Sequence, residues 1–211
     1  MRVLVLEAEP GAADGAVAAL EAASHVVDRC HEVGHPSFPC KGIDNVADCP
    51  LSSGPVDVVL TVRGEERWTT SELEDGVACA IRSHVPLVVA GATAGNPYQA
   101  WTTASVSPGG DVVGTCLHAA SAPLVHHSRV GSERLREVLE HHEYQALDSA
   151  DVEVTRRNGR LRVRLSVPDD VPASVTEAAA THVLAAVHAL DPTARGTDVS
   201  VRSIPTPPGS A

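Results

Sequence analysis

Apolar runs alternate with amphipathic segments over residues 1–145. The apolar runs predict five strands: Arg2 to Leu6, His25 to Arg29, Val56 to Val62, Val85 to Ala90 and Asp111 to Thr115. Apolar residues at helical spacing predict four helices: Gly11 to Ser24, Ser71 to His84, Tyr98 to Ala104 and Gly131 to His142. Strands that alternate with helices form a parallel sheet covered on both faces. We therefore predict a doubly wound α/β domain with a five-stranded parallel sheet over residues 1–145.

Residues 31–55 interrupt this alternation. Four prolines and three glycines in this segment exclude a continuous helix. A long irregular loop in a compact domain is typically functional, or is held in place by something that it binds. The segment is therefore a candidate site.

After residue 145 the pattern changes to strict alternation of apolar and polar residues. Asp151 to Val167 alternates around an Asn-Gly pair, which is typical of a β-hairpin. A helix is predicted at Ala173 to Leu190 and a last strand at Asp198 to Ile204. We predict a small α+β domain of ββαβ order over residues 151–204, followed by a disordered tail at 205–211.

Composition narrows the class of protein. The chain is 43% hydrophobic but only 2% aromatic, so small aliphatic side chains must fill its core. All but one of the 16 basic residues are arginine, a bias typical of GC-rich bacterial genomes. The net charge of −11 argues against nucleic-acid binding, which needs a basic surface. The chain has neither a basic leader nor a run long enough to span a membrane, so we expect a cytoplasmic protein.

The opening stretch MRVLVLEAEPGAADGAVAALEAASHVV resembles a response-regulator receiver domain, which has a flavodoxin-like fold. In that family the first strand ends in an acidic pair, and a helix then leads into a second strand. The resemblance covers roughly residues 1–142 as topology and the opening stretch as sequence. It implies a signalling role and places Glu7 and Glu9 at the acidic pair that holds Mg²⁺ in receivers.

Two features of receivers are missing from this sequence. The third predicted strand ends Leu60-Thr61-Val62-Arg63, without the aspartate that accepts the phosphoryl group in that family. Lys41 is the only lysine, so no lysine follows the fifth strand. The resemblance therefore implies a pseudo-receiver that does not autophosphorylate.

Residues 151–202 resemble the core of the alkaline-shock protein family. The similarity lies in the hairpin DVEVTRRNGRLRVRLSVP, in one amphipathic helix and in the final DVSVRSI. This resemblance implies a non-enzymatic scaffold or a role in envelope stress.

Four of the five cysteines are predicted to converge: Cys30, Cys40, Cys49 and Cys79. The first ends a strand, the next two lie in the irregular loop, and the last lies off the apolar stripe of a helix on the same sheet face. With His31 or His35, these thiols would suit Zn²⁺ or an iron–sulfur cluster, and no other cofactor is expected. Their spacing matches no standard metal motif, so buried small hydrophobes or a Cys40–Cys49 disulfide remain the alternatives.

The loop Gly91-Ala-Thr-Ala-Gly95-Asn-Pro follows the fourth predicted strand, at the edge where open α/β folds bind ligands. Its backbone amides would cradle an anion. The candidate small-ligand residues at this edge are Glu7, Glu9, Thr61, Gly91, Thr93, Gly95 and Asn96. No Walker loop, dinucleotide fingerprint or nucleophile elbow occurs in the sequence, so a plain connecting loop is the alternative.

Arg160, Arg162 and Arg164 alternate along the predicted hairpin and point away from its apolar face. Such a basic stripe would bind an acidic partner or RNA. The alternative is an exposed sheet face whose arginines pair with acidic neighbours of the same chain.

Three hypotheses for function follow. The lack of a catalytic motif favours a non-catalytic regulatory or scaffolding protein that acts through protein contacts, with a homodimer left open. The second hypothesis is a metal- or iron–sulfur-binding protein, including an enzyme, that uses the four cysteines. The third is a small-ligand binder at the carboxyl edge of the sheet.

Overall fold

The computed structural model describes residues 1–144, 149–157, 159–192 and 194–205. The chain forms two compact units: Met1–Ala122 with Arg157–Gly159, and Pro123–Arg156 with Arg160–Ala211. Residues 123–144, which the sequence pattern placed in the first domain, belong to the second unit. The predicted disordered tail lies outside the described residues apart from Pro205.

The first unit contains an all-parallel five-stranded sheet. Its strands are β1 (Arg2–Glu7), β2 (Val26–Asp28), β3 (Val58–Arg63), β4 (Leu87–Gly91) and β5 (Thr102–Val106). Their order across the sheet is β2-β1-β3-β4-β5, which is the flavodoxin-like order. The predicted α/β class with a five-stranded parallel sheet is confirmed.

Helices and apolar cores lie on both faces of this sheet. The helices are α1 (Asp14–Ala22), α2 (Lys41–Asp44), α3 (Pro50–Ser53), α4 (Gly76–Arg82) and α5 (Val112–Ser121). Val3 and Leu60 pack with α1 and α5, whereas Leu4 and Val59 pack with α4 on the other face. Successive strand residues thus serve opposite cores, because side chains alternate across a strand.

The fifth strand and the helix before it were predicted in the wrong places. The helix expected at Tyr98 to Ala104 is a 3-10 turn, Gln99–Trp101, followed by β5. The strand expected at Asp111 to Thr115 is instead the start of α5. Asp111 initiates that helix because its carboxylate accepts a hydrogen bond of 2.8 Å from the Gly114 amide. Between β4 and β5 there is therefore a loop with one 3-10 turn and no full helix.

In two other segments of the first unit, short helices and 3-10 turns replace the single continuous helix that usually connects parallel strands. The helix predicted at Ser71 to His84 consists of a 3-10 turn, Glu72–Glu74, and then α4. The sequence Ser71-Glu-Leu-Glu74 at the start of this segment fits a capping box, and the structure has this capping box. The irregular segment 31–55 contains α2, a 3-10 turn at Val46–Asp48, and α3.

The second unit has a three-stranded sheet with the order β6-β7-β8. Its elements are α6 (Val125–His141), β6 (Asp151–Arg157), β7 (Arg160–Pro168), α7 (Ala173–Leu190) and β8 (Thr197–Ile204). β7 and β8 are parallel, with α7 as the crossover between them. The predicted ββαβ order is therefore present, and α6 precedes it.

Helix α6 belongs to the second unit because its apolar stripe packs there. Leu135 and Leu139 share one core with Val152 of β6, Leu165 of β7 and Val183 of α7. The helix begins at Val125, earlier than the predicted Gly131, and its apolar stripe needs this core for burial. None of the helices in the described part of the chain has the length and apolar character needed to cross a membrane.

Candidate functional site

A fully buried ion pair lies at the carboxyl end of β3. The Arg63 guanidinium donates to the two carboxylate oxygens of Glu74 at 2.8 and 2.6 Å, and both side chains are 0% exposed. The Thr61 hydroxyl donates to the same carboxylate at 2.9 Å. The capping box positions Glu74, whose carboxylate also accepts a hydrogen bond of 3.2 Å from the Ser71 amide. Burial and the nearby Glu74 carboxylate raise the pKa of Tyr98 above its usual range, so its phenol stays neutral.

Arg63 also holds the loop that follows β3. Its Nη2 donates to the carbonyl oxygens of Arg67 and Thr69 at 2.8 and 3.1 Å. These two carbonyls flank Trp68, whose side chain is exposed. Glu74 orients Arg63, and Arg63 in turn fixes the backbone on both sides of the tryptophan.

Glu7, the first member of the candidate acidic pair, is buried at the end of β1. One of its oxygens accepts hydrogen bonds from the Gly11 and Ala13 amides at 3.1 and 3.3 Å. The other oxygen lies 3.5 Å from the Arg29 guanidinium. Glu7 therefore ties down the β1–α1 loop of its own unit.

Glu9, the second member, links β1 to the loop after β3. Its carboxylate accepts hydrogen bonds of 2.7 Å from the Gly64 amide and 2.7 Å from the Arg67 guanidinium. Both members of the acidic pair thus face an arginine and backbone amides. A Mg²⁺ site instead needs carboxylate oxygens that face the ion and its waters.

An open groove of about 640 Å³ runs beside β5. Four consecutive residues of this strand, Thr102 to Ser105, line the groove together with Trp68. Thr93, Gly95 and Asn96, predicted as ligand residues, also line it. The remaining predicted ligand residues lie outside this lining: Glu7, Glu9, Thr61 and Gly91.

Hydrogen bonds fix the wall of the groove. The Asn96 side chain donates to the Thr102 hydroxyl at 2.9 Å and accepts from the Tyr98 amide at 2.9 Å. Gly95 has a φ of +76°, and a Cβ there would lie 3.1 Å from the Arg67 carbonyl carbon. A glycine therefore lets the β4–β5 loop approach the loop that carries Trp68. None of the described residues that line the groove is charged.

The four cysteines that were predicted to converge line one small apolar cavity of about 70 Å³. Cys30 follows β2, Cys40 and Cys49 border α2 and α3, and Cys79 lies on α4. Gly42 packs closely here, since a Cβ at this position would lie 2.6 Å from the Cys49 Cβ.

Burial keeps the thiol of Cys30 in this cavity neutral. Burial, followed by the proximity of Cys40, raises the pKa of Cys30 to about 11. His31 is buried and its Nδ1 lies 2.9 Å from the Glu32 carbonyl oxygen, whereas His35 is exposed. Within the described ranges, no three or more His, Cys, Asp or Glu side chains are arranged to hold a metal ion.

The predicted basic stripe lies on the exposed face of the second unit's sheet. Arg160 donates to the Asp198 carboxylate at 2.6 and 3.2 Å, and Arg164 pairs with Glu153 at 3.2 Å. The hydrogen bond from Arg160 is the main cause of a lowered pKa for Asp198. Arg160 and Arg164 are therefore paired with acidic neighbours of the same chain. Arg162 is the third arginine of the stripe.

The sequence pattern missed the residues that organise the carboxyl edge: Arg63, Arg67, Trp68 and Glu74. One signal was available, because Arg63 is a charged residue that directly ends an apolar strand. For Glu74 the sequence offers only the capping-box pattern that begins at Ser71. Nothing in a single sequence distinguishes Trp68 from any other exposed loop residue.

Comparison with known proteins gives no assignment. No protein-family model matches the sequence, and no curated protein matches it. The function must therefore be argued from the site itself.

Proposed function

We propose that this protein is a non-catalytic regulatory or scaffolding protein whose first unit is a pseudo-receiver that binds an extended segment of a protein partner along β5. The observation that carries the proposal is the buried Arg63–Glu74 pair, which occupies the end of β3 and also holds the loop beside the groove. One hydrogen-bonded network therefore occupies the place where folds of this strand order bind ligands, and it also positions the loop that borders the groove.

The buried charges at the carboxyl ends of β1 and β3 argue against catalysis at the place where this fold usually binds ligands. In a sheet of this order, ligands bind between the carboxyl ends of β1 and β3, where the strand order reverses. Here those ends carry Glu7 and Arg63, each buried and engaged with a partner of opposite charge. No residue that could form an acyl phosphate ends β3, since its last residues are Thr61, Val62 and Arg63.

The groove supports the binding of an extended segment. β5 is the last strand of the sheet, so its outer backbone edge has no partner strand within the described residues. A segment laid along Thr102 to Ser105 would add a strand, and its side chains would meet Trp68 and the β4–β5 loop. The uncharged lining favours a segment with polar or aliphatic side chains. A small ligand fits less well, because such sites usually enclose most of the ligand surface.

Phosphotransfer tests the non-catalytic part. The full chain is incubated with acetyl phosphate and Mg²⁺, and intact-mass spectrometry follows the addition of a phosphoryl group. We expect no acid-labile phosphoryl adduct. An adduct on any residue of the first unit would overturn the proposal.

Peptide selection tests the contact surface. A library of displayed peptides is selected against the full chain, and the binders are measured against Trp68→Ala and Trp101→Ala. Both tryptophans are exposed, at 73% and 56%, but only Trp68 lines the groove, so Trp101→Ala is the matched control. We expect Trp68→Ala to weaken binding at least tenfold and Trp101→Ala to leave it unchanged. Equal affinity for both variants and the unaltered chain would contradict the proposed surface.

A second candidate function rests on the cysteine cavity. Four cysteines from separate elements meet there, and thiolates are the ligands that Zn²⁺ and iron–sulfur clusters prefer. Protein purified without oxygen would then carry stoichiometric zinc, or iron with sulfide, and Cys49→Ser would lower that content. Folded protein free of metal would discard this candidate.

A further inference from the structure

The two edges of the second unit's sheet differ in how their backbone groups are used. At the β6 edge, the Val152 and Val154 amides donate to the hydroxyls of Ser132 and Ser128, both at 2.9 Å. The Leu124 amide donates to the Val154 carbonyl at 2.7 Å. Helix α6 and the residue before it therefore cap this edge, a common way of preventing edge-to-edge pairing.

The β8 edge has no such cover within the described part of the chain. β8 pairs with β7 on one side only. The carbonyls of Gly196 and Ile204 accept hydrogen bonds from the β7 side, so the even-numbered residues of β8 face β7. Because backbone groups alternate along a strand, those of the odd-numbered residues point to the open edge. These residues are Thr197, Val199, Val201 and Ser203.

The apolar face of the sheet also continues past the helices onto β8. Val199 and Val201 lie in register with Val163 and Leu165, which are fully buried in the core beneath α6 and α7. Val199 and Val201 are nevertheless 38% and 46% exposed. An open backbone edge and an exposed apolar pair therefore coincide on the same strand.

We propose that β8 pairs antiparallel with β8 of a second copy of this chain, about a two-fold axis at Ser200. This joins the two three-stranded sheets into one continuous sheet. The interface is isologous, so each copy contributes the same strand. The proposal is carried by the second unit alone and is independent of the groove along β5.

Charge and shape select this register. With the axis at Ser200, Val199 lies opposite the partner's Val201, so four valines form one apolar cluster on the helix-covered face. On the other face, Asp198 lies opposite the partner's Arg202. A carboxylate accepts several hydrogen bonds, so Asp198 keeps its pairing with Arg160 while accepting from that second arginine.

The backbone pattern agrees with the same register. Across the axis, the backbone groups of Val199 face those of the partner's Val201, and the backbone groups of Thr197 face those of the partner's Ser203. This arrangement allows about eight main-chain hydrogen bonds between the two copies. An axis one residue away on either side breaks the opposition of Asp198 and Arg202. One strand pair is a small interface, so the dissociation constant is expected on the order of 10 µM.

Disulfide trapping tests both the dimer and its register. Ser200 is a non-hydrogen-bonded position at the axis, so two Ser200→Cys chains place their Cα atoms about 4.5 Å apart, within reach of a disulfide. Arg202→Cys is the matched control, because its two copies lie roughly 13 Å apart in this register. Under mild oxidation, we expect Ser200→Cys to form a covalent dimer, and Arg202→Cys and the unaltered chain to stay monomeric on a non-reducing gel. Equal trapping of both variants would overturn the register.

A charge swap tests whether Asp198 of one copy lies opposite Arg202 of the other. Both residues are on the surface, so each variant should stay folded. Arg202→Glu sets two acidic residues against each other, and Asp198→Lys sets two basic ones. Each variant alone should be monomeric by sedimentation at about 100 µM, while an equimolar mixture restores both oppositions and should sediment as a dimer. The unaltered chain should be largely dimeric at that concentration. A chain that stays monomeric throughout, or a mixture no more associated than its components, would overturn the proposal.

Discussion

Two regions of the first sheet differ: buried and paired charges fill the carboxyl ends of β1 and β3 (the filled half), whereas an open and uncharged groove runs along β5, the last strand (the open half). The filled half lies where folds of this strand order usually bind ligands. The open half exists because β4 and β5 are joined without a full helix. The two halves are connected, since Arg63 in the filled half holds the carbonyls that flank Trp68 in the open half. Charged residues at a sheet edge can therefore serve to build a neighbouring contact surface.

Replacing Glu74 by alanine should have the largest effect on this contrast. It leaves Arg63 as a buried charge without its carboxylate, which should lower the free energy of unfolding by about 3–5 kcal/mol. Both tryptophans lie in the first unit, so urea unfolding followed by tryptophan fluorescence reports on that unit. The double variant Arg63→Met/Glu74→Leu is the control and should recover part of the loss. A loss below about 1 kcal/mol in Glu74→Ala would mean that the filled half does not depend on this pair.

Gly91→Ala tests the tight contact between the ends of β3 and β4. Gly91 has a φ of +89°, and a Cβ there would lie 2.2 Å from the Arg63 carbonyl oxygen. We expect a loss of about 3 kcal/mol, from both the left-handed conformation and the displaced backbone. Gly109→Ala is the matched control, because Gly109 also has a positive φ but has nothing within 4 Å of its added Cβ. That variant should lose only about 1 kcal/mol, and equal losses would show that the close contact is unimportant.

A pH series tests the buried thiol of Cys30, which lies on the α4 face of the sheet. The raised pKa of Cys30, about 11, means that the unfolded chain loses this proton first as pH rises above 9. Stability is therefore retained below pH 9, and Cys30 alone should lower it by about 2–3 kcal/mol towards pH 11. Burial also raises the pKa of Cys116 and Tyr98, so these two groups add to the decline. Thermal unfolding of Cys30→Ala should show a shallower decline, and an identical decline would assign the effect to other groups.

Trp68→Ala should have the smallest effect on stability. The side chain is exposed, so the free energy of unfolding should change by less than about 0.5 kcal/mol. Thermal unfolding followed by circular dichroism checks this, with Trp101→Ala in parallel. A large loss would mean that Trp68 supports the fold, and the groove would then have no free contact residue.

The sequence pattern predicted those parts of the fold that depend on periodicity. Helix α7 lies at the predicted residues, and the ends of the first four strands differ from the predicted ends by at most two residues. The error at β5 arose because Val112-Val113 has a high strand propensity, while the capping of α5 by Asp111 determines the structure. Local capping outweighed propensity at that point.

The candidate site was less predictable, because it depends on contacts between distant segments. The four cysteines were grouped correctly, since the order of strands and helices fixes which loops are neighbours. The partners of Glu7 and Glu9 were not predictable, because Arg29 and Arg67 reach them only through the tertiary fold. The groove was missed because it depends on where β5 lies.

Amide NMR spectra of the full chain test the central claim most directly, because they report on the filled half and the open half of the first sheet in one experiment. A selected peptide should shift the amides of Thr102 to Val106 and the indole of Trp68, while Mg²⁺ with acetyl phosphate should leave the amides of Glu7 to Glu9 and Thr61 to Gly64 unchanged. The opposite pattern, with shifts at β1 and β3 on adding Mg²⁺ and none at β5 on adding peptide, would contradict the account.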